Sequence, residues 1–200
     1  MKNSIVILCC LAIWLTPETV FSQKALISFG GELAFPVTHK NTPLGFAANA
    51  GTGFGGSLQV ESSWGNHISG MASVSYLSFA RSHPYSSTPT TATKVNAFPF
   101  QIGIKYYFLE KEESPKGFFI SAETGMMLTT THFTYDAHPD FDFKESPVCL
   151  AVGAGYMLGN LETGFRLQYN LGAAGFHVYY YNFRLTYAWL NIKDKKANNK

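Results

Sequence analysis

The 200 residues carry 15 Lys and Arg against 13 Asp and Glu, and the resulting net charge of +2 is too small to point to nucleic acid or any other strongly charged partner. Charged residues are 14% of the chain and aromatics 16%, with 17 Phe and 11 Tyr, whereas soluble domains carry about 25% charge. No apolar run reaches the ~18 residues that a membrane-crossing helix needs, so the apolar content must be distributed in another way.

The chain opens with a processing signal. Lys2 supplies a positive start, Ile5 to Leu15 forms a short apolar run, and Thr16, Pro17, Glu18 and Thr19 lead into Val20-Phe21-Ser22. Small residues flanking the end of such a segment predict cleavage after Ser22, hence export, with residues 1–22 removed as a signal peptide. Cys9 and Cys10 fall inside it and lack the small preceding residues of a lipidation site, which leaves Cys149 as the one cysteine of the mature chain. No intramolecular disulfide can then support the fold.

From residue 25 onward the dominant period is two. Alternation predicts strands at 25–36, 52–63, 67–79, 97–108, 117–128, 147–158, 161–170 and 180–190. These exceed the globular mode of about 5–6 residues and match the ~9–11 required to cross a bilayer at barrel tilt. The connections alternate long and short without exception. Trp64-Gly65-Asn66, the charged segment 109–116 and Gly159-Asn160 are short, the last pair being suited to positive φ in a tight hairpin. Segments 37–51, 80–96, 129–146 and 171–179 are long. Short turns at one end and long loops at the other are the habit of transmembrane barrels. The expected fold is therefore all-β: an eight-stranded antiparallel up-and-down transmembrane barrel over 23–190, with 191–200 as a polar periplasmic tail.

One face of each strand is apolar. The fourth gives Phe98, Phe100, Ile102, Ile104, Tyr106 and Phe108, and the eighth gives Tyr181, Phe183, Leu185, Tyr187 and Trp189. No charge falls on this face in any of the eight segments, as a lipid-facing surface requires, since a charge at mid-bilayer costs ~2–4 kcal/mol. A soluble barrel would show the same alternation turned inside out. Against that stands the polar face, built of Gly, Ser, Ala and Gln rather than a hydrated Lys and Glu surface, and suited to the crowded interior of eight strands. The third strand is weaker, because its parity slips at Leu77 and Phe79, as at a bulge. Phe29, Phe35, Tyr76, Phe98, Phe108, Tyr169, Tyr181 and Trp189 lie near strand ends, where interfacial aromatic girdles belong.

The polar face also carries Glu32, Glu61, Glu123 and Glu162 against Lys105, Arg166 and Arg184. In a narrow lumen these charges must pair, so they are expected to form a polar network that plugs the barrel; a rudimentary polar conduit is the alternative.

Six pieces, GGELAFP, FQIGIKYYF, GFFISAETGM, AVGAGYMLG, LETGFRLQY and NFRLTYAW, occur in this order across most of the mature chain. On these the chain resembles the bacterial outer membrane protein β-barrel domain family, often labelled porin family, similar in architecture to small OmpA- and OmpX-type barrels. The resemblance implies an eight-stranded barrel in the bacterial outer membrane, with no catalytic residues and no cofactor. It also implies outer-membrane lipid and the barrel-insertion machinery as partners. The chain departs from such barrels at its end, where Trp189 is followed by Leu190 and the polar NIKDKKANNK instead of closing on an aromatic residue.

The remaining candidate chemistry lies in the loops. His132, Asp136, His138, Asp140 and Asp142 combine imidazole and carboxylate, the donors of a divalent cation, but at no defined metal spacing. No metal site is expected from them. His132, His138 and His177 would be the bases of a lipid-modifying enzyme, although no His-Ser-acid motif accompanies them. The segment RSHPYSSTPTTATKVN reads as a flexible exposed loop, and Tyr135, Phe141 and Phe143 are aromatics available to an extracellular ligand. The expected function is that of a monomeric integral outer-membrane protein, structural or surface-interacting and without catalysis. A small-solute pore is the second reading and a lipid-modifying enzyme the third.

Overall fold

The alternating segments form nine strands: β1 (Ala25–Val37), β2 (Ala50–Ser63), β3 (Ile68–Arg81), β4 (Thr90–Tyr107), β5 (Gly117–Tyr135), β6 (Phe141–Glu145), β7 (Val148–Leu158), β8 (Leu161–Leu171) and β9 (His177–Ile192). The computed structural model describes residues 25–37, 50–64, 66–81, 90–109, 117–135, 141–171 and 177–192. The segment read as a signal peptide and most of the polar tail lie outside these residues. Each strand pairs antiparallel with its neighbour, β1 closes onto β9, and β4–β5 completes the ring.

Nine strands make an eight-stranded barrel because β6 and β7 are one strand interrupted. Against β5 they keep a single register, with Met126 opposite Val148 and Thr129 opposite Glu145. The break falls at Ser146-Pro147. Pro147 has no N–H to give the ladder, yet its carbonyl still accepts from the Met127 amide at 2.9 Å.

The barrel extends further at its loop end than the apolar pattern indicates. β4 begins at Thr90, inside the segment expected to be a flexible loop, and β5 runs on to Tyr135 opposite Thr90, pairing with β6 from Thr129 to Phe133. The extra residues, TTATKVN and TTTHFTY, are rich in β-branched Thr, which pairs well in sheets without an apolar face. They rise past the apolar belt and so carry no lipid-side signature. The slip expected at Leu77 and Phe79 is not found at those residues. β2 and β3 stay in register from Gly53–Phe79 to Ser63–Ser69, and Leu77 and Phe79 point inward because the lumen at that height is apolar. Register shifts lie elsewhere: between Ala50 and Gly53 of β2 against β3, just beyond Phe79, between Thr90 and Ala92 of β4 against β5, and between Ile27 and Ser28 of β1 against β9. At the β7–β8 hairpin, Gly159 has φ +61° whereas Asn160 is not among the positive-φ residues. Positive φ at the first central residue alone is the pattern of a type II′ turn.

Outward side chains form a continuous apolar belt. Phe54, Ile102, Phe118, Val152, Leu158 and Trp189 are each at least 60% exposed, and no charged side chain lies among them between the turns and the level of Phe98 and Val148. Aromatic pairs mark both margins. Phe118–Tyr156 and Tyr106–Phe108 lie toward the turns, with Tyr76–Phe98 and Tyr169–Tyr179 toward the loops.

Candidate functional site

The inward face is layered. At the turn end, Leu26, Tyr107, Phe119, Met157 and Ala188 form an apolar layer, and at the loop end Ala34, Leu77, Phe79, Val95, Ala97, Met127, Cys149 and Tyr180 form a second. Between them lie all seven charged residues expected in the lumen, none more than 6% exposed. They sit there because inward positions recur every second residue, so a charge in phase with the small residues has nowhere else to point.

Two clusters divide the charges. Toward the turns, Lys105 Nζ donates to Glu162 Oε2 at 2.7 Å and to Glu61 Oε2 at 3.2 Å. The Tyr107 hydroxyl donates to Glu61 at 2.8 Å, and the Lys105 ammonium lies 4.6 Å from the centroid of the Phe119 ring. Above this, Arg184 Nε donates to Glu32 Oε1 at 2.6 Å and its Nη1 to Gln59 Oε1 at 3.0 Å. Arg166 Nη1 bridges Glu123 Oε2 at 2.8 Å and Gln101 Oε1 at 2.7 Å, while its Nη2 stands 3.7 Å from Glu32. Asn182 and Ser75 complete the Glu32 carboxylate at 2.8 and 3.0 Å. Charge-assisted bonds of this length are about twice as strong as neutral ones.

Several network members are not among the charged residues singled out from the sequence. Tyr107, Gln59, Ser75, Gln101 and Asn182 each hold a carboxylate or a guanidinium, and Gln168 accepts from Gln101 and donates to Asn170. The available signal was parity, since every one of them shares its face with a charged residue of the same strand or its neighbour. A gap of about 20 Å³ bordered by Lys105, Ser121, Glu123, Glu162, Arg166 and Arg184 lies in the middle of the network. About 10–15 Å³ accommodates one water, so this space suits a bound water and not a conduit.

The loop-end candidates are only partly brought together. His132 and Asp142 are cross-strand partners on β5 and β6, and His132 Nδ1 lies 2.5 Å from Asp142 Oδ1 on the outer surface. Asp136, His138 and Asp140 lie outside the described residues, among which no group of three or more metal-ligating side chains occurs. His177 opens β9 opposite Leu171 on β8, away from that pair along the rim.

No protein-family model and no curated protein matches the sequence. The fold does have counterparts among solved structures. Ail, the attachment invasion locus protein of Yersinia pestis, aligns with a TM-score of 0.59 at 9% identity, covering 84% of this chain and 99% of the other. The N-terminal β-barrel domain of Pseudomonas aeruginosa OprF aligns with a TM-score of 0.51 at 11% identity, covering 84% and 98%. At such identities the likeness speaks to architecture: the chain is an eight-stranded up-and-down barrel with the same fold as these two proteins.

Proposed function

We propose that the protein is an integral outer-membrane barrel whose lumen is a structural plug and whose working surface is its loop end. The observation that carries this reading is the layered interior: two apolar layers enclose a charge network whose carboxylates and cations are matched by partners at hydrogen-bond distance. A conducting path would need continuous water along polar walls. Here Tyr107 and Tyr180, both fully buried, stand in the turn-end and loop-end apolar layers, and the ion pairs between those layers are costly to separate. The uncharged outward belt supplies the surface that lipid requires. With the lumen closed, contact with the surroundings falls to the long connections and to the β4–β5–β6 extension, a structural or surface-interaction role.

The test is expression with separation of envelope fractions, followed by reconstitution. The reading expects heat-modifiable gel mobility in the outer-membrane fraction and no resolved conductance steps in planar bilayers. Recovery as a soluble periplasmic protein would refute the membrane placement. Stable unitary channels would refute the plug and favour the small-solute pore.

A further inference from the structure

We propose that His132 and Asp142 form a pH-dependent latch, which holds the short strand β6 against β5 while the imidazole is protonated and loosens as pH rises. Among the described residues β6 is paired with β5 alone. β8 ends at Leu171, opposite Val148 of β7, and so does not reach it. The chain breaks between β6 and β7 at Ser146-Pro147. Pro147 donates nothing to the ladder, but its carbonyl accepts from the Met127 amide at 2.9 Å and anchors the β7 side of the break. Beyond it, five register pairs run from Thr129–Glu145 to Phe133–Phe141. A short strand paired on one side belongs to the low-stability end of a fold, where local opening costs least.

His132 and Asp142 are register partners on the outward face, with Nδ1 2.5 Å from Oδ1. A second link across these strands, from the Thr129 hydroxyl to the Glu145 carbonyl at 3.4 Å, carries no charge. Histidine changes charge between pH 5 and 8. Protonation turns the His132–Asp142 contact into an ion pair and adds coulombic attraction across the β5–β6 seam. The surrounding charges fix the sign. Lys94 lies opposite His132 on β4 and stays beside β5 whether β6 is docked or open, so its repulsion of the imidazolium cancels. Lys144 leaves with β6, but it lies opposite Thr130 and is thus diagonal to His132, at about 7–8 Å. Glu145 occupies the inward face, opposite the buried Thr129. Of the charges that move with β6, the touching carboxylate outweighs the diagonal ammonium, so protonated His132 favours the docked strand. The docked form is therefore favoured at acid pH, and that advantage is lost as pH rises through the imidazole's titration. Opening bares the hydrogen-bonding edge of β5 from Thr129 to Phe133, so the loop end offers a different surface on the two sides of the transition. The latch belongs to the β5–β6 pair and stands whether or not the barrel sits in a membrane.

The experiment follows amide hydrogen exchange by NMR in the barrel folded in detergent micelles, with protection factors corrected for the intrinsic rate at each pH. Heat-modifiable mobility verifies that each variant is folded. Between pH 5 and pH 8 the amides that pair β5 with β6 are expected to lose about two- to fivefold in protection, the range of an exposed ion pair. Those of β7 from Leu150 to Val152 are expected to stay constant. His132→Gln and Asp142→Asn should each abolish the pH response, and His132→Arg should keep β6 equally protected at both pH values. Equal protection of wild-type β6 at the two pH values overturns the latch. So does a response that survives either neutral variant, or a loss of protection in β7 that keeps step with β6.

Discussion

Replacing Lys105 with Met should be among the most damaging single changes in the barrel. Lys105 is 2% exposed and lies within 3.2 Å of carboxylate oxygens from both Glu61 and Glu162. Breaking a buried ion pair by removing one partner costs about 3–5 kcal/mol, because a desolvated charge is left behind. Here two carboxylates lose the same cation. Glu61 keeps the Tyr107 hydroxyl at 2.8 Å, which offsets part of its loss, so the single variant should fall within that range rather than at twice it. Met fills a similar volume, which keeps a cavity term small. The decisive comparison adds Glu61→Gln and Glu162→Gln to Lys105→Met. Replacing a whole buried ionic group by neutral side chains is often close to neutral, so the triple variant should recover most of the loss. Reversible urea unfolding in lipid vesicles, with midpoints compared at constant slope, reads both numbers. A Lys105→Met cost below about 1 kcal/mol, or a triple variant no more stable than the single, would refute the claim that this cluster is electrostatically tied together.

Ile102 stands at mid-belt with 65% of its surface outward; Ile102→Arg should destabilise the vesicle-embedded barrel by about 2–4 kcal/mol, whereas on a water-facing surface the same change would be almost silent. A Cβ at Gly125 would come within 1.9 Å of the Phe100 carbonyl oxygen on the neighbouring strand, while one at Gly56 would meet nothing closer than 3.4 Å. Gly125→Ala should therefore cost about 1–3 kcal/mol and Gly56→Ala under about 0.5 by the same unfolding assay. Cys149 is buried in the loop-end apolar layer, so a maleimide should label it at a negligible rate in the folded barrel and completely after unfolding; rapid labelling of the native form would mean that the upper layer is open.

The strands were legible where one face belongs to the apolar belt and the other to the lumen, because period two then leaves an unambiguous trace. The same logic explains what was misread. Thr90 to Asn96 and Thr129 to Tyr135 pair as strands beyond the apolar belt, and their sequence shows β-branched residues without an apolar stripe. Leu77 and Phe79 looked out of phase because the polar-inside rule was applied along the whole lumen. The interior turns apolar at its ends, where Phe79 packs edge-on against Tyr180 at 6.2 Å. The charged members of the network could be placed from parity alone. Apart from Glu32 and Arg184, which are register partners on β1 and β9, their partners could not, since pairing across a lumen depends on which strands face one another after closure.

Those pairings suggest why a barrel with no disulfide among its described residues retains so many buried charges. Lys105 on β4 reaches Glu61 on β2 and Glu162 on β8, Arg166 on β8 reaches Glu123 on β5, and Arg184 on β9 reaches Gln59 on β2. None of these joins neighbouring strands in the wall. A slip of one residue in β1, β2, β4, β5, β8 or β9 would turn an inward charge outward, at ~2–4 kcal/mol in a membrane, and would at the same time strip it of a partner. An apolar filling would give no such penalty, because apolar side chains are tolerated on either face of the wall. The network thus acts on register more than on net stability, as polar groups do when they specify one pairing among several. On that account the neutralised triple variant at Lys105, Glu61 and Glu162 should recover most of the stability lost in Lys105→Met yet fold into vesicles with a larger misassembled fraction than wild type, and equal folding yields would count against a register role.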